Sequence, residues 1–502
     1  MSQFTVRPEP FYNRHNELDA LERAWNRPMP SGQMALLYGR RRLGKTYLLQ
    51  RFFAGGSSGS NAPDTPRPHC YYLADQTTSG TQRAEFAAQL LEAQPDPGVP
   101  AGEISVSWNA LLRYASQAAR VQAARTGERF GVVLDEFPYL VEQSPELPSV
   151  LQAWWDREGL HSPLFLVLCG SQLSAMAALG EENQPLYGRF NSGILLLPPL
   201  LYDEVSAFYA GHPRYGIPER LTMYGILGGT PRYHALVDPT RPMAEQVVDI
   251  LLRPQGPLSS EVQFLLGSQQ IREVAPYNAV LGAIATGTTR YSNILDTAGV
   301  ERGSLPNILR SLGELGWIRR ERPFGEASDR RALYRVADPF LAFWYRFAGP
   351  LASALQFSDP ALVYEERIAP HLPDYMGWHV FEEVCHQWLR RRGRARLGLT
   401  VLEAGRYWSR DGKVEIDIMA SLKSGYFLFG ECKWGGRGTV GMGVYNSLLG
   451  KVAQLPRDYY RRDAHYVLFS AAGFAPELEI IAGNPANQLT LVGPQDLLPE
   501  LS

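Results

Sequence analysis

The stretch A-L-L-Y-G-R-R-R-L-G-K-T, residues 35–46, decides how this chain folds. Its four opening apolar residues are a run too short for a whole buried helix and read as a strand, while the residues after Lys45 follow a helical pattern. Between them Gly39, Gly44, Lys45 and Thr46 have the spacing of a G-x-x-x-x-G-K-[ST] loop, and the strand-to-helix setting is what that pattern requires. Glycines let the backbone curl so that successive N–H groups face an anion, and the helix that opens there adds the positive end of its dipole. The expected ligand is ATP, with Lys45 neutralising its β and γ oxygens and Thr46 holding Mg2+. Arginines 40 to 42 are unusual in such a loop, but the chemistry dictates only the glycines, the lysine and the threonine.

Working outward, Y-Y-L-A (71–74), V-V-L-D (132–135), F-L-V-L-C (165–169) and I-L-L-L (194–197) are further short apolar runs separated by helical patterns. This alternation predicts an α/β fold, a parallel sheet covered on both faces. F-G-V-V-L-D-E-F (130–137) ends an apolar strand in two carboxylates. Asp135 is expected as the magnesium partner, and Glu136 as the base that orients water against the γ-phosphate. F-L-V-L-C-G-S (165–171) delivers Ser171 to the same carboxyl edge, as a γ-phosphate sensor or as a helix cap. The run G-G-S-S-G-S-N-A-P-D-T-P-R-P (55–68) predicts a flexible surface loop.

With 502 residues the chain is too long for a single core. Its composition, 45% hydrophobic and 20% charged, is that of an ordinary globular protein. Its 49 basic and 51 acidic residues leave a formal charge of -2, so any attraction for nucleic acid has to be local. Cys70, Cys169, Cys385 and Cys432 form no C-x-x-C pair, which argues against a disulfide framework or zinc site. No apolar run has the length of a membrane span and no signal-peptide core is present at the start, so a cytoplasmic protein without a membrane partner is expected. No internal repeat is visible.

Beyond Leu200 helical patterns dominate. In S-L-P-N-I-L-R-S-L-G-E-L-G-W-I-R-R-E (304–321), Leu305, Ile308, Leu309 and Leu312 share a helix face before a turn into a strand. This predicts the recognition helix and wing of a winged helix, with a wing tip at 325–331. Arg310, Arg319, Arg320, Arg322, Arg330, Arg331 and Arg335, with Trp317 and Tyr334, form a stripe suited to DNA phosphates, diluted by Glu314, Glu321, Glu326 and Asp329. The expected division is a P-loop core over 1–200, a helical lid over 201–260, a winged helix over 261–350, a linker over 351–375 and a last α/β domain over 376–502.

The order of F-Y-N-R-H-N-E-L-D-A-L, G-R-R-R-L-G-K-T, V-V-L-D-E-F, C-G-S, P-L-Y-G-R-F and G-G-T-P-R-Y resembles the archaeal-type ATPases, relatives of the AAA+ and STAND ATPases, over about residues 11 to 240. The resemblance implies that Asn13 and Arg14 lie against the adenine and that Pro231 closes over the base. It also implies that Arg189 stands where AAA+ proteins keep an arginine finger, so that hydrolysis depends on a neighbouring copy in a homo-oligomer. The alternative is that Arg189 binds a carboxylate of its own domain.

In K-V-E-I-D-I-M-A (413–420) and Y-F-L-F-G-E-C-K-W (426–434), strand alternation puts Glu415 and Asp417 on one face, with Ile416 and Ile418 in the core. It likewise sets Glu431 beside Lys433, with Cys432 opposite. Asp417, Glu431 and Lys433 reproduce the D-(x)n-E-x-K order in which two carboxylates hold Mg2+ and a lysine polarises water. W-H-V-F-E-E-V-C-H-Q-W-L (378–389) is a helix whose apolar face is bordered by Glu382. Together these resemble the PD-(D/E)XK nuclease-like domain fused to archaeal-type ATPases, a restriction-endonuclease-like α/β fold, and imply that Glu382 joins the metal site. The competing reading is a cross-strand ion pair in a domain that has kept the fold without the activity. L-R-R-R-G-R-A-R-L (389–397) suits a DNA backbone or is a solvated helix end.

The functional expectation is an ATPase coupled to a magnesium-dependent DNA nuclease. Its alternatives are a signalling or scaffold ATPase whose last domain binds without cutting, and an initiator-type DNA loader.

Overall fold

In the computed structural model the described residues are 11–56, 65–94, 101–267, 273–435, 438–456, 458–459 and 464–498. Residues 57–64 of the expected surface loop, and residues 1–10 at the start, lie outside them. The chain separates into two compact units, Met1–Pro199 and Leu200–Ser502.

The first unit is built on β1 (Gln33–Tyr38), β2 (His69–Leu73), β3 (Phe130–Asp135), β4 (Leu164–Gly170) and β5 (Ile194–Leu196), in the order β2-β3-β4-β1-β5. Every pairing is parallel. Side-chain alternation explains why these runs are apolar throughout. Met34, Leu36, Val132, Leu134, Leu166 and Leu168 face one layer, where they meet Trp108, Leu111, Trp154 and Trp155. Ala35, Leu37, Val133, Phe165, Val167 and Cys169 face the other, against Leu18, Leu21, Leu48, Leu49, Phe52 and Phe53. A strand covered on both sides has no face left for polar residues. Polar side chains therefore collect at the carboxyl ends, where the ligand sites of open parallel sheets lie.

In the second unit the helices Val274–Ala285, Tyr291–Ala298 and Leu305–Glu314 precede an antiparallel pair, β6 (Ile318–Glu321) and β7 (Leu333–Val336). Leu305, Ile308, Leu309 and Leu312 are all buried, as the helical spacing requires. The segment 351–375, expected as a linker, is instead helical over much of its length and buries Val363, Tyr364, Ile368, Leu372 and Tyr375. Those apolar residues gain more from burial than an extended connection would return.

A second sheet follows: β8 (Val401–Trp408), β9 (Glu415–Leu422), β10 (Phe427–Lys433), β11 (His465–Ser470) and β12 (Leu489–Val492), ordered β12-β11-β10-β9-β8. Its β8–β9 and β9–β10 pairs are antiparallel, and β10–β11 and β11–β12 are parallel. The expected helix at 378–389 begins as a π-helical turn, Met376–Phe381, and continues as Glu382–Leu397. Phe381, Val384, Cys385, Trp388 and Leu389 are buried along it. All four cysteines are buried and form no disulfide.

Candidate functional site

The loop between β1 and the helix Lys45–Phe53 has the shape its glycines predict. Gly44 sits at φ +89 and an added Cβ there would meet nothing within 4 Å, so the loop's concave side is open. Gly39 is needed for the opposite reason: a Cβ would come within 2.6 Å of the Leu197 carbonyl oxygen. The Lys45 ammonium is buried and donates to the carbonyls of Gly39, at 2.8 Å, and Arg40, at 3.0 Å. Burial lowers its pKa, and Cys169, Glu136 and Asp135 oppose that fall.

Thr46 and Asp135, far apart in sequence, meet because β1 and β3 end at one edge. The Thr46 hydroxyl donates to Asp135 Oδ2 at 2.9 Å, and the Glu136 amide donates to Asp135 Oδ1 at 2.9 Å. Tyr71, from β2, donates its hydroxyl to the same Oδ2. A hydroxyl beside a carboxylate at the mouth of a glycine-lined loop is a donor set that fits Mg2+ with a triphosphate.

Glu136 caps the following helix in a left-handed conformation, φ 52 and ψ 43, which is uncommon for a residue with a side chain. Its carboxylate accepts hydrogen bonds from Ser171 Oγ at 3.0 Å and 2.9 Å. Ser171 is thus a partner of Glu136 and not a helix cap; the next helix is capped by Gln172 without a side-chain bond. Arg41 reaches across to Tyr139 Oη at 2.8 Å and lies 3.4 Å from Ser171 Oγ. The sequence assigns no role to Tyr71, Tyr139 or Arg41, because nothing local to them signals that the fold brings Tyr71 to Asp135, Arg41 to Ser171 and Tyr139 to Arg41.

Asn13 and Arg14 both adopt positive φ, and the Arg14 guanidinium is buried. It donates to Pro198 O at 2.7 Å and Leu43 O at 3.4 Å and pairs with Glu17, so it ties the beginning of the helix His15–Trp25 to the phosphate loop and to the residues after β5. Arg189 is gripped by both oxygens of Asp156, at 2.9 Å and 2.7 Å. The guanidinium expected to reach a neighbouring copy therefore has a carboxylate partner inside its own unit. Pro231 opens the short helix Pro231–His234 in the second unit.

The second constellation is only partly the one expected. Ile416 and Ile418 are buried, and Lys433 Nζ donates to Glu431 Oε1 at 2.8 Å. Glu431 also accepts from Lys451 Nζ at 2.9 Å and 2.8 Å, so its carboxylate is saturated by two ammonium groups. Glu382 lies between Arg335 at 3.3 Å and Arg406 at 3.2 Å. Asp417 Oδ2 accepts the Cys432 amide at 2.8 Å. Burial first, then the charges of Glu382 and Glu431, push the Asp417 carboxyl up. Asp417, Lys433 and Glu382 line one cleft of about 430 Å³. Among the described residues no group of three or more His, Cys, Asp and Glu is arranged to hold a metal ion. Of the expected Asp417–Glu431 metal pair, Glu431 is thus already held by two ammonium groups of this chain, whereas Asp417 accepts a backbone amide and has no cation bonded to it among the described residues.

The expected phosphate stripe is consumed in part, with Arg310 bonded to Asn307 and Arg330 left without a carboxylate partner among the described residues. Arg319 pairs with Glu321 and Glu383, Arg320 and Arg322 with Asp329, Arg331 with Glu326, and Arg335 with Glu321 and Glu382. Arg390, Arg391, Arg392 and Arg396 bond to Glu383, Asp203, Glu204 and Asp496, so much of the arginine-rich helix end is an ion-pair seam.

Comparison with known proteins agrees with the geometry of the first unit. Residues 11–237 match a family described as an ATPase domain predominantly from Archaea, and residues 344–440 match one described as archaeal and bacterial proteins of unknown function. An uncharacterized protein of Methanocaldococcus jannaschii is 27% identical over 432 residues, covering 84% of this chain and 87% of that protein. An uncharacterized ATP-binding protein of the same organism is 50% identical over 42 residues, 8% of this chain and 68% of that protein. Among solved structures, the Walker-type ATPase of Pyrococcus abyssi is similar with a TM-score of 0.49 at 21% identity, covering 68% of this chain and 97% of that one. The ORC2 protein of Aeropyrum pernix follows with a TM-score of 0.43 at 14% identity, over 72% of this chain and 98% of that one. The chain carries an archaeal-type P-loop ATPase domain. Among the described residues no helix is long and apolar enough to cross a membrane.

Proposed function

We propose that this chain is a magnesium-dependent ATPase whose nucleotide state governs how its second unit engages DNA. The observation that carries the reading is the 2.9 Å hydrogen bond from Thr46 Oγ1 to Asp135 Oδ2 at the mouth of the glycine-lined loop. Charged phosphate oxygens are better acceptors than neutral carbonyls, so a triphosphate draws the Lys45 ammonium away from Gly39 and Arg40. The metal, when bound, neutralises charge on the phosphates. Thr46 and Asp135 would hold it, Tyr71 orients Asp135, and Glu136 would orient the attacking water once its carboxylate turns from Ser171. ATP can redistribute the arrangements of the second unit only as far as it binds one of them better than another.

Binding of DNA without cutting is the form of this reading that the second unit supports best, since Glu382 and Glu431 are each held between cations of the chain. Cleavage is kept as the second reading by one observation, the shared cleft of Glu382, Asp417 and Lys433. The test incubates purified protein with linear, circular and single-stranded DNA and Mg2+, with and without ATP, and follows phosphate release, DNA retention and DNA length. ATP turnover that disappears in Lys45→Ala, with ATP-sensitive DNA retention, supports the proposal. Turnover that survives Lys45→Ala overturns its first half. Cleavage lost in Asp417→Asn while ATP turnover persists replaces the binding form by the nuclease form.

A further inference from the structure

The wing and the turn between β8 and β9 enclose a groove of about 540 Å³ within the second unit. Arg290, Arg330 and Arg410 line it beside Tyr291, Tyr334 and Trp408. All three arginines are exposed, and among the described residues none of them makes an ion pair. That sets them apart from Arg319, Arg320, Arg322, Arg331 and Arg335, whose charges are spent on neighbouring carboxylates. Asp329, the acid among the lining residues, is already bonded to Arg320 and Arg322. Glu326, which feels the charge of Arg410, is bonded to Arg331. The wing's remaining positive charge is therefore concentrated on this groove.

Two further features point the same way. Arg290 forms a bridge to Leu333 of β7, which fixes its position against the wing. The helix Tyr291–Ala298 starts directly after it with no side-chain cap, so that the helix's positive end and uncapped amides open at the groove. The rings decide between ligand forms. A duplex offers its backbone and the edges of its bases but keeps the base faces stacked inside, whereas an unpaired strand presents base faces that stack on tyrosine.

We propose that this groove binds an unpaired nucleic-acid strand, its phosphates on Arg290, Arg330 and Arg410 and its bases against Tyr291 and Tyr334. The inference rests on the DNA-engaging half of the reading above and names the surface and the strand form; an RNA strand has the same phosphate and base chemistry.

The test is fluorescence anisotropy of the full chain in EDTA without ATP, which excludes cleavage and nucleotide effects. The probes are labelled oligothymidine, oligouridine of equal length and a blunt DNA duplex, each over a salt series. Thermal melting confirms that every variant is folded. The expected result is tighter binding of a single strand than of the duplex. In the combined Arg290→Ala, Arg330→Ala, Arg410→Ala variant, binding of that strand should weaken by about tenfold or more, with a shallower salt dependence. Tyr334→Leu should weaken it without changing the salt slope. Binding of oligothymidine or of oligouridine tells whether a DNA or an RNA strand is taken, and loss of either in the triple variant supports the groove. Unchanged affinity in the triple variant, or a duplex bound as tightly as either strand, overturns the proposal. So does an equal loss in Arg302→Glu, an exposed charge ahead of the recognition helix, because the attraction is then diffuse. A wild-type chain that hydrolyses no ATP but passes these tests sinks the ATPase reading and leaves the groove intact.

Discussion

Ser171 Oγ lies 3.0 Å and 2.9 Å from the two carboxylate oxygens of Glu136, joining the ends of neighbouring strands β3 and β4. On the proposed reading Glu136 aims water at the γ-phosphate, and the hydroxyl that holds its carboxylate can release it. Ser171→Ala should lower kcat for ATP hydrolysis by about tenfold with little change in KM, whereas Glu136→Gln should lower it by about a hundredfold or more while ATP binding persists. Steady-state phosphate release and nucleotide titration check both. A Ser171→Ala enzyme with a raised KM and an unchanged kcat would mean that the serine serves binding alone.

Tyr71 donates to the Asp135 oxygen that also accepts from Thr46. Groups that orient a metal-binding carboxylate commonly contribute about ten- to a hundredfold in metal affinity. Tyr71→Phe should therefore raise the Mg2+ concentration for half-maximal ATP turnover by about tenfold, with turnover largely restored at saturating Mg2+. A magnesium titration of wild type and variant decides it.

Arg406 is buried against Glu321, Glu382 and Glu415. Removing one partner of a buried ion pair strands the other charge, at a cost of about 3–5 kcal/mol. Arg406→Ala should destabilise the chain by about that amount in urea denaturation, and adding Glu382→Gln should recover part of the loss. A double variant no more stable than the single one would assign the effect to lost packing.

Buried histidines make the second unit acid-sensitive. His234 is lowered to about 4 by burial, partly offset by its bond to the Gly228 carbonyl, and His386 is lowered to about 4, again chiefly by burial. Both stay neutral in the fold while unfolded histidine has a pKa near ~6.5. A depressed folded pKa favours unfolding on protonation, so this stability is complete above about pH 6.5 and is lost as pH falls toward about 4. The melting temperature should fall across that window. In His234→Gln the fall should be shallower, whatever the variant's stability at neutral pH.

The parts read from sequence share a cause. Gly39, Gly44, Lys45 and Thr46 are neighbours in the chain, and the strand A-L-L-Y fixes which way the loop runs, so short-range spacing was enough. Strand alternation correctly placed Ile416 and Ile418 in the core and Lys433 beside Glu431. It could not show that Lys451, from the helix Met442–Ala453, also reaches Glu431, or that Arg335 and Arg406 close on Glu382. Most of the arginines expected to form a phosphate stripe are neutralised by carboxylates, which was not legible because sequence displays charge without displaying who neutralises it.

By itself the sequence determined the phosphate loop, the alternation that makes a parallel sheet, and the helical face that Leu305, Ile308, Leu309 and Leu312 bury. Each depends on backbone geometry and hydrophobic period over a few residues. Only the tertiary structure decided that Tyr71 meets Asp135, that Arg189 is held by Asp156, and which arginines are left without a carboxylate partner among the described residues. Electrostatic pairing acts between side chains brought within a few ångströms by the fold, and that proximity is written nowhere in their separation along the chain.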